Sequence, residues 1–284
     1  NTGSALKYPF FLDTGSFTAW DSSTGQVVAG TVSDTPAVTN LGATDFTVDD
    51  MDYSRLAGRY VFRSGNSLYT VSAASFGAGI TNITPDTSDF VSTGKIQNID
   101  TSIPIQYSDM ALSPDGSKLA VLVTVKGRYD NGAAFPACVR TSYPLILDAA
   151  TGNLINWAAP DNVSDDASPD NGYSFCTALD WYGDNSNLIF SKGENQSDIT
   201  SHELYTGPSD GSADPAIIYT YPSGGASEPG ITGIVYSSAA GYTLLKYNTD
   251  QYTESVFLLK NDLSSIHTLK NSLSISACPD IIVP

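Results

Sequence analysis

Four stretches of this sequence repeat one pattern, a strand-like run, a tight turn and a second strand-like run: Asp52–Phe62, Met110–Val121, Leu179–Phe190 and Ile234–Leu245. An internal repeat constrains a fold more than any single motif, because a unit too small to bury its own apolar face must stack on copies of itself. The turn is Pro114-Asp115-Gly116 in the clearest copy and Gly183-Asp184-Asn185 in another. These residue types accept the preset or left-handed φ values that tight turns demand. A second hairpin follows each copy, at 67–71, at 143–148 with 151–155, at 203–206 with 210–212, and at 256–259 with Asn261 and Asp262. Each unit therefore reads as a four-stranded antiparallel meander.

The second-strand anchors Phe62, Val121, Phe190 and Leu245 recur at intervals of 59, 69 and 55 residues, which gives four units at about 44–86, 103–160, 174–222 and 230–270. The ends supply a fifth. Residues 6–40 show three strand-like runs, at 8–12, 17–21 and 27–32, which read as second, third and outer strands lacking a first; 273–284 reads as that missing first strand. The expectation is a single all-β domain over 1–284, a β-propeller of five four-stranded antiparallel blades, closed by N- and C-terminal strands sharing one blade. Closure of that kind removes exposed sheet edges.

Composition agrees with an all-β chain. Acidic residues number 30, of which only four are Glu, and Asp, Gly and Asn favour turns where Glu and Lys favour helices. No window of 11 or more residues free of Gly and Pro carries an apolar helical stripe. A net charge of −17 on 15% charged residues argues against nucleic acid or anionic lipid as partner, since both need clustered Lys and Arg. Apolar runs such as Leu119–Val123 fall far short of the roughly 20 residues that span a bilayer, so no membrane insertion is expected. A chain beginning at Asn1 with no charged, apolar leader fits a form whose targeting peptide has been removed. A secreted, periplasmic or cell-surface location is the expectation.

Ala111-Leu-Ser-Pro-Asp-Gly-Ser-Lys-Leu-Ala120 resembles the SPDG (PD40) repeat of TolB-like β-propellers, and Glu203-Leu-Tyr205 with Asp210-Gly-Ser212 resembles the hairpin that follows it. The other copies lack Pro-Asp-Gly, and the resemblance covers most of residues 46–262. It implies a fold and, by the habits of that family, a protein-interaction platform or an accessory domain beside a hydrolase.

Candidate site residues follow from the blade pattern. The first strands offer Asp52, Asp109 and Asp180 as inward-facing carboxylates, with Glu228 just before the first strand of the fourth unit. Paired carboxylates could flank a glycosidic bond in the central funnel; their plainer role is to accept backbone N–H groups around the channel. Trp181 and Tyr182 could form a sugar platform or pack between blades. Asp161, Asp165, Asp166 and Asp170 share one loop, and Asp49, Asp50 and Asp52 cluster at the start of the first unit, so either group could offer Ca²⁺ its hard oxygen ligands. Neither follows the EF-hand order, and a solvated loop is the alternative. No other cofactor is expected.

Three cysteines leave one over. Cys138 and Cys176 would lie on the same propeller face, which makes a Cys138–Cys176 disulfide a candidate; buried free thiols are the alternative, and Cys278 stays unassigned. Gly207-Pro-Ser-Asp-Gly211 fits G-x-S-x-G with His267 downstream, but a nucleophile elbow needs a strand-to-helix turn and Ser209 sits in a hairpin. The two histidines, His202 and His267, read as outer-strand surface residues. The leading functional expectation is a non-catalytic propeller whose partner is another protein. A structural subunit that self-associates and a carbohydrate-binding or carbohydrate-cleaving propeller are the alternatives.

Overall fold

A computed structural model describes residues 6–13, 15–32, 37–92, 104–129, 137–158, 173–194, 202–221, 230–237, 239–248 and 253–274. The first sheet is β1 (Leu6–Asp13), β2 (Ser16–Asp21), β3 (Gln26–Thr31) and β4 (Val38–Ala43). The second is β5 (Asp50–Ser54), β6 (Arg59–Ser64), β7 (Ser67–Ser72) and β8 (Thr81–Asn82), and a six-residue helix, α1 (Thr87–Ser92), follows it. The third comprises β9 (Gln106–Leu112), β10 (Lys118–Tyr129), β11 (Ala137–Asp148) and β12 (Leu154–Trp157). After a short β13 (Tyr173–Phe175), the fourth is β14 (Leu179–Trp181), β15 (Asn187–Glu194), β16 (His202–Pro208) and β17 (Ala216–Tyr221). The fifth is β18 (Gly230–Ser237), β19 (Tyr242–Asn248), β20 (Thr253–Lys260) and β21 (Ile266–Ser274). These five antiparallel meanders are the blades of a five-bladed β-propeller. The first strands β1, β5, β9, β14 and β18 neighbour one another in chain order along the axis.

Strand periodicity explains how the blades stack. Side chains alternate between the two faces of a strand, and each face of an inner blade meets a different neighbour. Tyr60 and Phe62 pack with Trp20 and Val27 of the first blade, whereas Val61 between them joins Leu119 and Val121 of the third. Likewise Leu188 and Phe190 face the third blade, and Ile189 packs with Ile234 and Leu245 of the fifth. The core is a series of layers between sheets. Fully burying each such side chain is worth about 1.5–3 kcal/mol.

The turns joining strands one to two and three to four lie at one end of every meander, and backbone hydrogen bonds clip them together. Ala73, Ala149, Ser209 and Asn261 each open a three-to-four turn and donate their N–H to Gly58, Ser117, Ser186 and Gly241 of the one-to-two turn. Two turn glycines also set the approach of neighbouring blades. A Cβ on Gly116 (φ +68°) would meet Ala57, and one on Gly152 (φ +76°) would collide with the Ile83 carbonyl.

Three expectations are corrected. The first sheet takes four strands from residues 6–43, with β1 innermost, so among the described residues it is complete without a strand from the C-terminus. The run read as its second strand is its first, because the mostly exposed Val38–Ala43 is the true outer strand; β21 ends at Ser274 in the fifth sheet, and 275–284 lie outside the described residues. The Cys138–Cys176 disulfide is not formed, and Cys176 is a buried free thiol. Parallel pairing of Arg140 with Tyr173 sets Cys138 five positions from Cys176 along the strands. That is roughly 16 Å at 3.3 Å per residue, far beyond disulfide reach. Third, His202 opens the third strand of its blade rather than an outer one.

Candidate functional site

The inward-facing carboxylates come from the first strands, where period-two alternation turns every second residue toward the axis. Asp52 on β5 accepts the Leu112 N–H of β9 at 2.6 Å, Asp109 on β9 accepts the Leu179 N–H of β14 at 2.9 Å, and Asp180 on β14 accepts the Tyr236 N–H of β18 at 2.7 Å. Each carboxylate thus ties its blade to the next. The second oxygen of Asp52 accepts the Tyr53 N–H and that of Asp180 accepts the Trp181 N–H. Between the first two blades a phenol takes the same role, with the Tyr8 hydroxyl donating to the Asp49 carbonyl at 2.5 Å.

The electrostatics of this ring follow from desolvation. Burial raises Asp52, carries Asp109 up to about 6 and Asp180 up to about 7, and the backbone N–H groups offset only part of the rise. Like charges on neighbouring strands push Asp109 and Asp180 further in the same direction. Asp50, raised well above the ordinary carboxylate range by burial and then by Asp109, is opposed by the Arg63 guanidinium.

The other candidates are dispersed. Asp161, Asp165, Asp166, Asp170 and Glu228 lie outside the described residues, as does Cys278. The cluster at 49–52 is split, since Asp49 caps the Gly65 N–H and stands 4.0 Å from Arg63 while Asp50 and Asp52 belong to the channel. Among the described residues, no group of three or more His, Cys, Asp or Glu could hold a metal ion. Ser209 is only 1% exposed, and its hydroxyl accepts the Lys118 ammonium at 2.9 Å. His267 contacts Ser265 and the Tyr242 ring instead. Trp181 is buried between blades, its indole N–H on the Ala111 carbonyl, and Tyr182 packs on Tyr236 at 4.8 Å between ring centroids.

Sequence reasoning missed a pocket of about 240 Å³ at the turn end of the ring. Its wall runs from Leu112 and Pro114 of the third blade, through Asp180, Trp181 and Gly183 of the fourth, to Tyr236, Ser237 and Ala239 of the fifth. The turns around it are fixed by Asp side chains. Asp115 accepts the Ser113 and Ser117 hydroxyls at 2.7 Å each, Asp148 accepts two N–H groups and the Thr151 hydroxyl, and Asp184 accepts the Ser186 and Asn187 N–H groups. Asp210 is held below its ordinary value by the Ser212 N–H and hydroxyl, and Asp262 is brought down to about 2 by the Ser264 hydroxyl and then Lys260. Asp115, Asp148, Asp210 and Asp262, all lowered, stay charged at neutral pH.

An oligogalacturonate lyase in complex with manganese superposes with a TM-score of 0.53 at 9% identity, over 91% of this chain and 62% of that one. The fold is a five-bladed β-propeller. A puromycin-hydrolyzing peptidase of Mycobacterium tuberculosis gives a TM-score of 0.50 at 11% identity over 94% of this chain and 39% of that one, and TolB from Acinetobacter baumannii gives 0.48 at 10% over 91% and 50%. The propeller that the TolB-like resemblance implies is the fold these sheets form. The propeller spans less than two thirds of the length of each of these proteins. No protein-family model and no curated protein matches the chain.

Proposed function

We propose that the chain is a non-catalytic propeller that docks a basic protein partner on its turn end. The observation that carries this reading is the turn end itself, a set of short turns clipped by backbone bonds and studded with Asp115, Asp148, Asp184, Asp210 and Asp262. A rigid surface with fixed charges is suited to recognition, because little entropy is lost when a partner settles on it. Opposite charge on the partner would speed encounter and exclude acidic competitors. The inner carboxylates support the non-catalytic half of the reading, since their oxygens already hold backbone N–H groups across the blade joints. An extracellular or envelope setting belongs to the same proposal and rests on the composition.

Selection of peptides from a random display library on the immobilised chain tests it. Lys- and Arg-rich sequences should be enriched, with binding that weakens at least tenfold when Asp115, Asp184 and Asp210 are together changed to Lys and that falls as salt rises, as screening requires. A fluorophosphonate probe should leave Ser209 unlabelled. Enrichment of acidic or neutral peptides insensitive to salt, or turnover of peptide or oligosaccharide substrates, would contradict the proposal.

A further inference from the structure

The pocket between β14 and β18 has an unusual balance of charge. Asp180 lies in its wall with its two oxygens on the Trp181 and Tyr236 N–H groups, and among the described residues no Lys or Arg is paired with it. Lys118, which stands over the Trp181 ring at 6.0 Å, is already bonded to the Asn185 carbonyl and the Ser209 hydroxyl. A desolvated carboxylate lacking a counter-ion favours a cation in its place. Tyr236, half-buried in the same wall, supplies aromatic surface beside it, of the kind that attracts ammonium and guanidinium groups.

Size narrows the occupant. At about 240 Å³ the pocket is smaller than the roughly 300–1,000 Å³ of small-molecule sites, which suits one side chain better than a sugar chain or a cofactor. The surroundings point to a protein as the source of that side chain. Pro114 in the pocket wall accepts a hydrogen bond from Ser54, and two residues beyond Ser54 on the adjoining turn Leu56 stands 80% exposed, an apolar contact available to a partner that has placed a charged group next door.

We infer that this pocket receives one arginine or lysine side chain of a protein partner, with Asp180 as its counter-ion and Tyr236 as its aromatic wall. The inference rests on the turn-end reading above and names the point where the partner is anchored. Each Asp180 oxygen gives one acceptor position to a backbone N–H and keeps another for the incoming donor.

Titration of the whole chain with acetyl-Gly-Arg-Gly-amide, followed by amide and indole NMR shifts, tests this against the same peptide carrying citrulline, which keeps the shape and loses the charge. Saturable shifts centred on Trp181, Gly183 and Tyr236 are expected, with at least tenfold weaker binding of the citrulline peptide. Asp180→Asn should cost at least tenfold, and so should Ala239→Trp, which plugs the exposed rim without touching the blade joint and decides the matter if Asp180→Asn does not fold. Equal binding of both peptides at the pocket, or binding unaffected by Ala239→Trp, would overturn the pocket assignment. Arginine binding that shifts only the Asp115, Asp184 and Asp210 turns would overturn it while leaving the turn-end reading intact, and an absence of charge-dependent binding anywhere on that end would overturn both.

Discussion

At the residue scale, the carboxylates of the inner strands combine two demands that usually conflict. Each is a good acceptor for the backbone of the next blade, yet each sits where its charge is poorly solvated, so Asp109 at about 6 and Asp180 at about 7 lie above the ordinary Asp value. The sign of the pH dependence follows. A carboxyl whose folded pKa exceeds its unfolded value, about 3.9, makes the folded state bind more protons. Its stabilising contribution is complete below the unfolded value and is lost as pH rises through the folded one. The melting temperature should therefore climb as pH falls from 8 toward 5.5, and the climb should be shallower in Asp180→Asn. Relief of the general repulsion from a net charge of −17 acts on both proteins alike, so the difference between the two slopes isolates the residue. Identical slopes in differential scanning fluorimetry would contradict the assignment.

At the scale of the element, what matters is that each second strand serves two neighbours. Phe190→Ala, in a layer shared by the third and fourth blades, should cost about 3–5 kcal/mol in urea unfolding, whereas Leu56→Ala on an exposed turn should stay within about 0.5 kcal/mol. Comparable costs for the two would show that the layers are not where stability resides. Much of this architecture was legible in the residues. Alternating apolar runs around Pro114-Asp115-Gly116 and its looser copies placed the hairpins, and the inward Asp on three first strands could be read from the same alignment. The first blade was misread by one strand because Val38-Thr-Asn-Leu-Gly-Ala43 is mostly exposed, and an outer strand with little to bury carries almost no periodic signal. The Cys138–Cys176 pairing failed for a related reason: a shared face does not fix register, and β13 joins β11 in parallel at an offset no local pattern encodes. The pocket was invisible because Leu112, Asp180 and Tyr236 are far apart in the chain and meet only through the stacking of blades.

At the scale of the whole molecule, the propeller is a set of sheets joined by apolar layers at mid-depth, by carboxylate-to-backbone ties along the axis and by clipped turns at one end. Among the described residues no helix is long and apolar enough to cross a membrane. The axial ties matter most: if Asp52, Asp109 and Asp180 hold the ring together, their oxygens are committed to the backbone of the next blade. Hydrogen exchange of three amides tests that claim most directly, because Leu112, Leu179 and Tyr236 donate their N–H groups to those carboxylates across the joints between blades. In the folded chain at neutral pH, all three should exchange as slowly as the amides of the second strands around Val61, Val121 and Ile189. Exchange as fast as that of the exposed turn amides near Leu56 would mean that the carboxylates are free of the backbone, and would contradict the account.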